Sequence, residues 1–469
     1  MTNSSTTNAL TLLRAALGSQ KVITDEAVLA DHRHDYWMIS HLRDRFGGAA
    51  PAPAAVIRPA NVADVQAAVR LATSTGTSLI PFGLGSGVVG GVITSPHVLV
   101  LDMGAMKAVR FIDPVNLLAG FDAGKNGMEA EQAVAAQGLT IGHWPQSVAV
   151  SSVGGWVATR ASGQFSTAYG NIEDIVYSID VVLPDGSFVT LGKGPRASAG
   201  PDLRHLIMGS EGTLGVITGV TLSLRRAAES QSLTAFSTTT MQAGFDLQRE
   251  IVQRGWRPPV MRQYDERETR RLHADAKDNA LIMVHEGPST LVAAEVAAVT
   301  GLAAEMGAHV LPTSIPEHWL SHRNHVAPWD AILSRQMVAD TVEISAPWDK
   351  IAGIYNAAVE RVKAIEGCRA ASAHSSHVYR SGLNLYFTFA IQGTDPAGME
   401  AAYFAAWRAI MAATAQGGGS LSHHHGIGRV RREDLTQELS PAGVALLRRI
   451  KTALDPAGIM NPGVLIPDA

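Results

Sequence analysis

A chain of 469 residues with 46% apolar and 17% charged side chains has the balance of a soluble globular protein, long enough for two or three domains. A net charge of −4 excludes a basic nucleic-acid-binding face, and no apolar run reaches the roughly 18 residues of a membrane span. Cys368 is the only cysteine, which excludes internal disulfides, multi-cysteine zinc sites and cysteine-ligated clusters. With no basic leader ahead of the short apolar patch at the N-terminus, the expected compartment is the cytoplasm.

Residues 1–50 read as a helical N-terminal arm, with Leu10, Leu12, Leu13, Val28 and Leu29 on apolar faces; within it, residues 32–45 read as a polar and aromatic surface segment. Residues 51–55 form a Pro/Ala linker. From Val56 the pattern alternates short strands and helices: strands at 56–59, 78–81, 98–103 and 117–123, and helices beginning near Asn61 and over 128–137. Pro184-Asp185-Gly186 predicts a hairpin, residues 201–209 a helix and residues 213–224 a long strand. Beyond about Arg226 glycine thins out. Helices are expected over 290–306, 348–364, 399–416 and 442–453, and strands over 281–285 and 383–391.

Three glycine-rich segments stand out. Pro81-Phe82-Gly83-Leu84-Gly85-Ser86-Gly87-Val88 follows a strand, but no helix opens at its glycines, so it is not a dinucleotide fingerprint. Its successive N–H groups suit an anion nest for a pyrophosphate, or a plain hairpin connection. The stretch 145–174 is dense in Ser, Gly and Ala, and reads as a loop whose backbone can approach something flat or anionic; the alternative is an ordinary connection. The third segment is Met208-Gly209-Ser210-Glu211-Gly212-Thr213-Leu214-Gly215. Together they suggest one elongated cofactor touched by several loops.

In this order the segments resemble the FAD-binding domain of the vanillyl-alcohol-oxidase (PCMH-type) flavoproteins, and Asp455-Pro456-Ala457-Gly458-Ile459-Met460-Asn461-Pro462-Gly463 is similar to the ending of their C-terminal domain. Gly154-Gly155-Trp156-Val157, Ser345-Ala346-Pro347-Trp348-Asp349 and the run from Gly418 to Gly428 look most like the alkyldihydroxyacetonephosphate synthase branch, the ether-lipid enzymes. The resemblance implies an α+β fold: a PCMH-type FAD-binding domain of two α+β lobes over 51–225, then a C-terminal cap over 226–469 with an antiparallel sheet and flanking helices. It implies FAD, held noncovalently because no attaching histidine stands in residues 81–91. It assigns the pyrophosphate to Pro81–Val88. Pro145, Ser147, Ser151, Ser152, Gly154, Gly155, Thr159, Arg160, Ser162, Glu211, Gly212, Gly215 and Ile217 would lie along the cofactor.

His423-His424-His425 follow a glycine hinge. From the residues alone they could be a metal site, a solvated loop or an acid/base cluster, and no carboxylate partner stands nearby in sequence. Related 2-hydroxy-acid dehydrogenases carry a metal-binding Glu where His424 stands, and a second His where Tyr386 stands; only His377 is kept, so no metal is expected. A tyrosine facing a histidine triplet matches the synthase. Tyr386, His423, His424 and His425 are therefore the expected catalytic residues, and His374 is assigned to a surface loop. The synthase reaction exchanges an acyl for a long-chain alkoxy group through attack by flavin N5; the alternative is oxidation of an alcohol or 2-hydroxy acid with hydride transfer to N5. Trp329 stands where the synthase has a substrate-binding arginine, leaving Arg323 or Arg335, with His377, as substitute contacts. The expected partner is a small-molecule or lipid substrate, which if long-chained brings peripheral membrane contact, and the expected assembly is a homodimer.

Overall fold

Three large β-sheets and one two-stranded ribbon, Leu139–Thr140 with Arg225–Arg226, organise the computed structural model, which describes residues 3–273 and 276–467. In the first, Val22–Ile23 runs antiparallel to Ala55–Ile57, which lies parallel to Val98–Asp102, itself parallel to Ser78–Phe82. The crossover helix Val62–Thr75 starts where Asn61 accepts the Asp64 N–H (3.0 Å) and buries Val65, Ala68, Val69 and Ala72, as their helical spacing requires. Since Val22–Ile23 joins this sheet and Asn3–Leu17 packs on Val62–Thr75, residues 3–23 are part of the lobe.

The second sheet is antiparallel, in the order Val109–Asp113, Leu118–Asp122, Val216–Ser223, Val176–Val182, Phe188–Leu191. Its last two strands are the hairpin closed by Pro184-Asp185-Gly186. The edge strand Val109–Asp113 escapes the sequence reading because its residues are largely exposed and mixed in polarity.

Stretch 145–174 is not the loop its composition suggests. It folds into three short helices, Val153–Thr159, Ser166–Tyr169 and Ile172–Ile175. Its small residues serve close packing: a Cβ on Gly154 would sit 2.7 Å from the Ala123 side chain and 2.9 Å from its carbonyl oxygen.

The third sheet builds the second half, in the order His309–Val310, Ser230–Thr238, Asn279–Gly287, Val260–Tyr264, Cys368–Ser375, Gly382–Gln392, Met337–Pro347. Along Gly382–Gln392, Leu383, Leu385, Phe387, Phe389 and Ile391 are buried in the large core shared with helices Trp348–Lys363 and Pro396–Gln416. Strand alternation then turns Tyr386 and Thr388 to the opposite face.

Residues 32–45 are not a surface arm. Trp37, Met38, Ile39 and Leu42 are buried in that same core, and Trp37 Nε1 donates to the Tyr403 hydroxyl (2.8 Å). Ion pairs form around them, Arg43 with Glu400 among them, so a segment polar in composition straps one half to the other. The C-terminal tail also crosses over: Ile459 and Met460 are buried against the first sheet, and the Leu79 N–H donates to the Ile459 carbonyl (2.9 Å). The helical pattern over 442–453 is realised within Leu435–Leu454, which breaks at Ser440 ahead of Pro441.

Candidate active site

Strand register places four polar side chains in one row. Tyr264 pairs with His374, His374 with Tyr386, and Tyr386 with Glu343. Paired residues share a face, here the face without the large helices. The first lobe meets it through Phe165, which packs beside Tyr264, and through Ser166, whose Oγ lies 2.6 Å from His377 Nδ1.

Tyr386 is the centre of the row. Its hydroxyl accepts from Thr341 Oγ1 (3.1 Å) and lies 3.2 Å from His425 Nε2. Its ring stacks on His374 at 4.9 Å and on His424 at 5.6 Å. Burial pushes the phenol's pKa up, so it stays protonated and able to donate.

His374, expected in a surface loop, lies instead in a buried strand, Cys368–Ser375, which pairs with Val260–Tyr264 on one side and Gly382–Gln392 on the other. Arg262 donates to its Nε2 (2.7 Å), so Nδ1 carries the hydrogen and donates to Glu268 (2.7 Å). Burial lowers its pKa to about 4, and the ring is neutral.

The carboxylate missing from the sequence neighbourhood of the histidine triplet is Glu343. Residues Gly417–Gly419 end helix Pro396–Gln416, and Ser420 bridges to Ser345, which lays the triplet along the edge strand Met337–Pro347. Glu343 Oε1 accepts the backbone N–H groups of His423 (3.2 Å), His424 (3.0 Å) and His425 (2.7 Å). Its other oxygen pairs with the fully buried Arg431, whose guanidinium lies over Trp407 at 4.9 Å. Burial alone would raise the Glu343 pKa; Arg431 and His425 outweigh it and hold the carboxyl well below its ordinary value. From the first lobe, Glu211 accepts the N–H groups of Ile427 (2.7 Å) and Gly428 (2.9 Å). Two carboxylates, one from each half, thus fix the histidine loop. Glu211, expected along the cofactor, meets this loop with its backbone at φ +51°.

Burial leaves His423 with a pKa of about 4 and holds His424 and His377 well below 6.5. His377, His423 and His424 each offer a ring nitrogen, all within 4.8 Å of one another. These three neutral imidazoles lie close enough together to hold a metal ion.

The expected cofactor segments line the first lobe. Among the described residues, no backbone N–H from Gly83 to Gly90 donates to another protein group, which leaves a row of free donors after the Ser78–Phe82 strand. A Cβ at Gly83 would meet Ser152 Oγ at 2.5 Å, so the loop and the small-residue wall touch. Along that wall the hydroxyls are used internally: Ser151 accepts from Trp156 Nε1, Ser152 from the Gly155 N–H, while Thr159 donates to the Gly155 carbonyl and Ser162 to Asn171. Arg160 pairs with Glu173 (3.0 Å). Gly212 lies beside Pro81, Gly215 against Val181, and Ile217 is buried. Near Gly163, His143 is buried with both ring nitrogens unpartnered. Free backbone donors and an orphaned imidazole fit an elongated polar cofactor such as FAD.

Two cations frame the site. Arg262, which the sequence reading passed over, binds the Tyr264 hydroxyl (2.7 Å) as well as His374; its signal is a lone charge in an otherwise uncharged strand, Val260–Tyr264. Arg323 lies over Trp144 (4.7 Å) and Phe165 (5.1 Å) and donates to Gln164 (3.1 Å). Arg335 is exposed after the short helix Asp330–Leu333. Trp329 stacks on Tyr36 at 5.8 Å and donates to its carbonyl (3.0 Å).

The family models for the FAD binding domain and for the C-terminal domain of FAD linked oxidases match residues 53–192 and 227–465. The chain belongs to the FAD-linked oxidase family. An uncharacterized FAD-linked oxidoreductase of Escherichia coli K12 is 33% identical over 97% of both chains. The alkyldihydroxyacetonephosphate synthase of Dictyostelium discoideum is 30% identical over 91% of this chain and 75% of its own. A solved alkyldihydroxyacetonephosphate synthase superposes with TM-score 0.82 at 27% identity, covering 97% of this chain and 85% of that one. The p-cresol methylhydroxylase structure, at 14% identity and TM-score 0.78, shows the same fold. Members of this FAD-linked family are enzymes, and the α+β, PCMH-like architecture expected from sequence is the one observed. Among the described residues no helix is long and apolar enough to cross a membrane.

Proposed function

We propose that this FAD-linked enzyme holds its cofactor noncovalently and works as an alkyldihydroxyacetonephosphate synthase does, exchanging an acyl group for a long-chain alkoxy group on a phosphate-bearing ketone. The observation that carries the reading is the Tyr386 hydroxyl, flanked by His374, His424 and His425, with Arg262 beside it on the same sheet face.

Bound FAD supplies a ring nitrogen that can act as nucleophile or hydride acceptor. The protein's own residues do the proton work. Tyr386 donates to the substrate oxygen that gains charge, and His425 accepts or returns the proton through its 3.2 Å contact with the phenol. Glu343 and Glu211 keep the histidine loop from shifting between these steps. Arg262 provides the cation for an anionic head group that Trp329 does not.

The second reading is oxidation of an alcohol or 2-hydroxy acid, with His425 as base. It is favoured by the packing of Trp329 onto Tyr36 where the synthase carries its arginine, and by the full-length likeness to an oxidoreductase. One experiment separates them. The FAD-loaded protein is mixed with acyl-dihydroxyacetonephosphate and a labelled long-chain alcohol, without electron acceptor. Label incorporation supports exchange. No incorporation, together with anaerobic bleaching of the flavin by an alcohol or 2-hydroxy acid, refutes exchange and supports oxidation.

A further inference from the structure

A polar cavity of about 340 Å³ lies between the halves, lined by hydroxyl groups that touch the histidines. Its wall includes Ser166 and Tyr379. Ser166 Oγ is 2.6 Å from His377 Nδ1, and the Tyr379 hydroxyl is 2.6 Å from His423 Nε2. A single layer of side chains therefore separates this cavity from the imidazole cluster.

Three arginines line it: Arg225 from the first half, Arg257 and Arg380 from the second. Among the described residues the side chains of Arg257 and Arg380 form no hydrogen bond or ion pair. Their backbones, by contrast, are held: the Arg257 N–H donates to Glu295 (2.9 Å), and the Arg380 carbonyl accepts from Trp348 Nε1 (2.9 Å) and Gln253 Nε2 (3.1 Å). Arg225 lies over the Tyr169 ring at 5.1 Å and donates to the Tyr169 carbonyl (3.1 Å), which leaves further N–H groups free. The one acidic residue on the wall, Asp174, accepts the Asn171 N–H (2.9 Å). The guanidiniums of Arg225, Arg257 and Arg380 line one cavity from both halves, and their planar forks match carboxylate or phosphate oxygens.

We infer that this cavity is a binding site for a small oxyanion, a phosphate or carboxylate group of a metabolite-sized molecule, separate from the row of Tyr264, His374, Tyr386 and Glu343. The site stands whichever reaction the enzyme performs, because it is built from residues that the proton chemistry does not use.

The test is calorimetric titration of the FAD-loaded protein with inorganic phosphate and, separately, with malonate. Saturable one-to-one binding of either anion is expected, and the tighter of the two names the oxyanion class. The Arg257→Ala/Arg380→Ala double variant, altered only at exposed side chains, should weaken that binding about ten-fold or more. Its flavin spectrum and melting temperature should match the parent's. Absence of saturable binding of both anions at millimolar concentration, or binding that the double variant leaves unchanged, overturns the proposal. Neither result bears on the exchange-versus-oxidation experiment, which reads the flavin side of the histidines.

Discussion

The Tyr386 hydroxyl and His425 Nε2 are 3.2 Å apart, although the two residues come from the strand next to the edge of the third sheet and from a loop that begins about thirty residues later at a glycine hinge. The contact exists because Glu343, Tyr386's register partner, also binds the loop's backbone N–H groups. Sheet register and loop position are thereby set by one pair of neighbours.

Removing the phenol oxygen isolates the proton step. Tyr386→Phe should keep FAD and the fold, since the ring's stacking survives, and should lose turnover by roughly 100- to 10,000-fold. Full turnover in the flavin-replete variant would remove Tyr386 from the chemistry.

Arg262 should act on binding of an anionic substrate. Arg262→Lys keeps the charge but cannot bind both Tyr264 and His374 as a planar fork does. A raised KM with a smaller change in kcat is expected for an anionic substrate, and little change for a neutral one. Equal effects on both substrates would make its role structural.

Breaking the buried pair of Glu343 and Arg431 should be costly. Glu343→Gln leaves a fully buried guanidinium without its counter-charge, a loss of about 3–5 kcal/mol. The urea midpoint checks this, and the double variant Glu343→Gln/Arg431→Met should recover part of the loss.

Asp35 gives a pH signature. Burial pushes its carboxyl up to about 7, while the Gly91 (2.7 Å) and Trp37 (3.3 Å) N–H groups hold it in place. A folded pKa above the unfolded one means that its contribution is whole below about pH 4 and is lost as pH rises through 7. Asp35→Asn cannot titrate, so relative to the parent it should gain about 1.4 kcal/mol per pH unit between those limits and level off above. Denaturant unfolding at pH 5 and pH 8 reads the difference; a constant gap contradicts it.

The glycine loop that follows strand Ser78–Phe82 has little room. Gly83→Ala would push on Ser152 Oγ, which accepts the Gly155 N–H at the start of helix Val153–Thr159 (3.2 Å). Loss of that cap is worth about 0.5–2 kcal/mol, and weaker FAD retention is expected on gel filtration. Undiminished retention would show that the wall yields freely.

The sequence by itself determined whatever is local. Asn61 starts its helix, Pro184-Asp185-Gly186 closes its hairpin, and the alternation of Leu383 to Ile391 assigns Tyr386 to the face opposite the core. The order of the small-residue segments was enough for the family, and the residues flanking the hinge for the histidine triplet. Tertiary structure decided what depends on partners distant in the chain. Glu343 stands some eighty residues before the loop it holds, Arg262 more than a hundred before the His374 it binds, and Glu211 over two hundred before Ile427. A charge inside a strand becomes legible only when register shows what lies opposite it. Composition misled for the same reason: residues 32–45 and His374 look exposed because they are polar, yet Trp37, Met38, Ile39 and Leu42 are buried against the other half of the chain, and His374 is buried by Glu268 and Arg262, which stand more than a hundred residues before it.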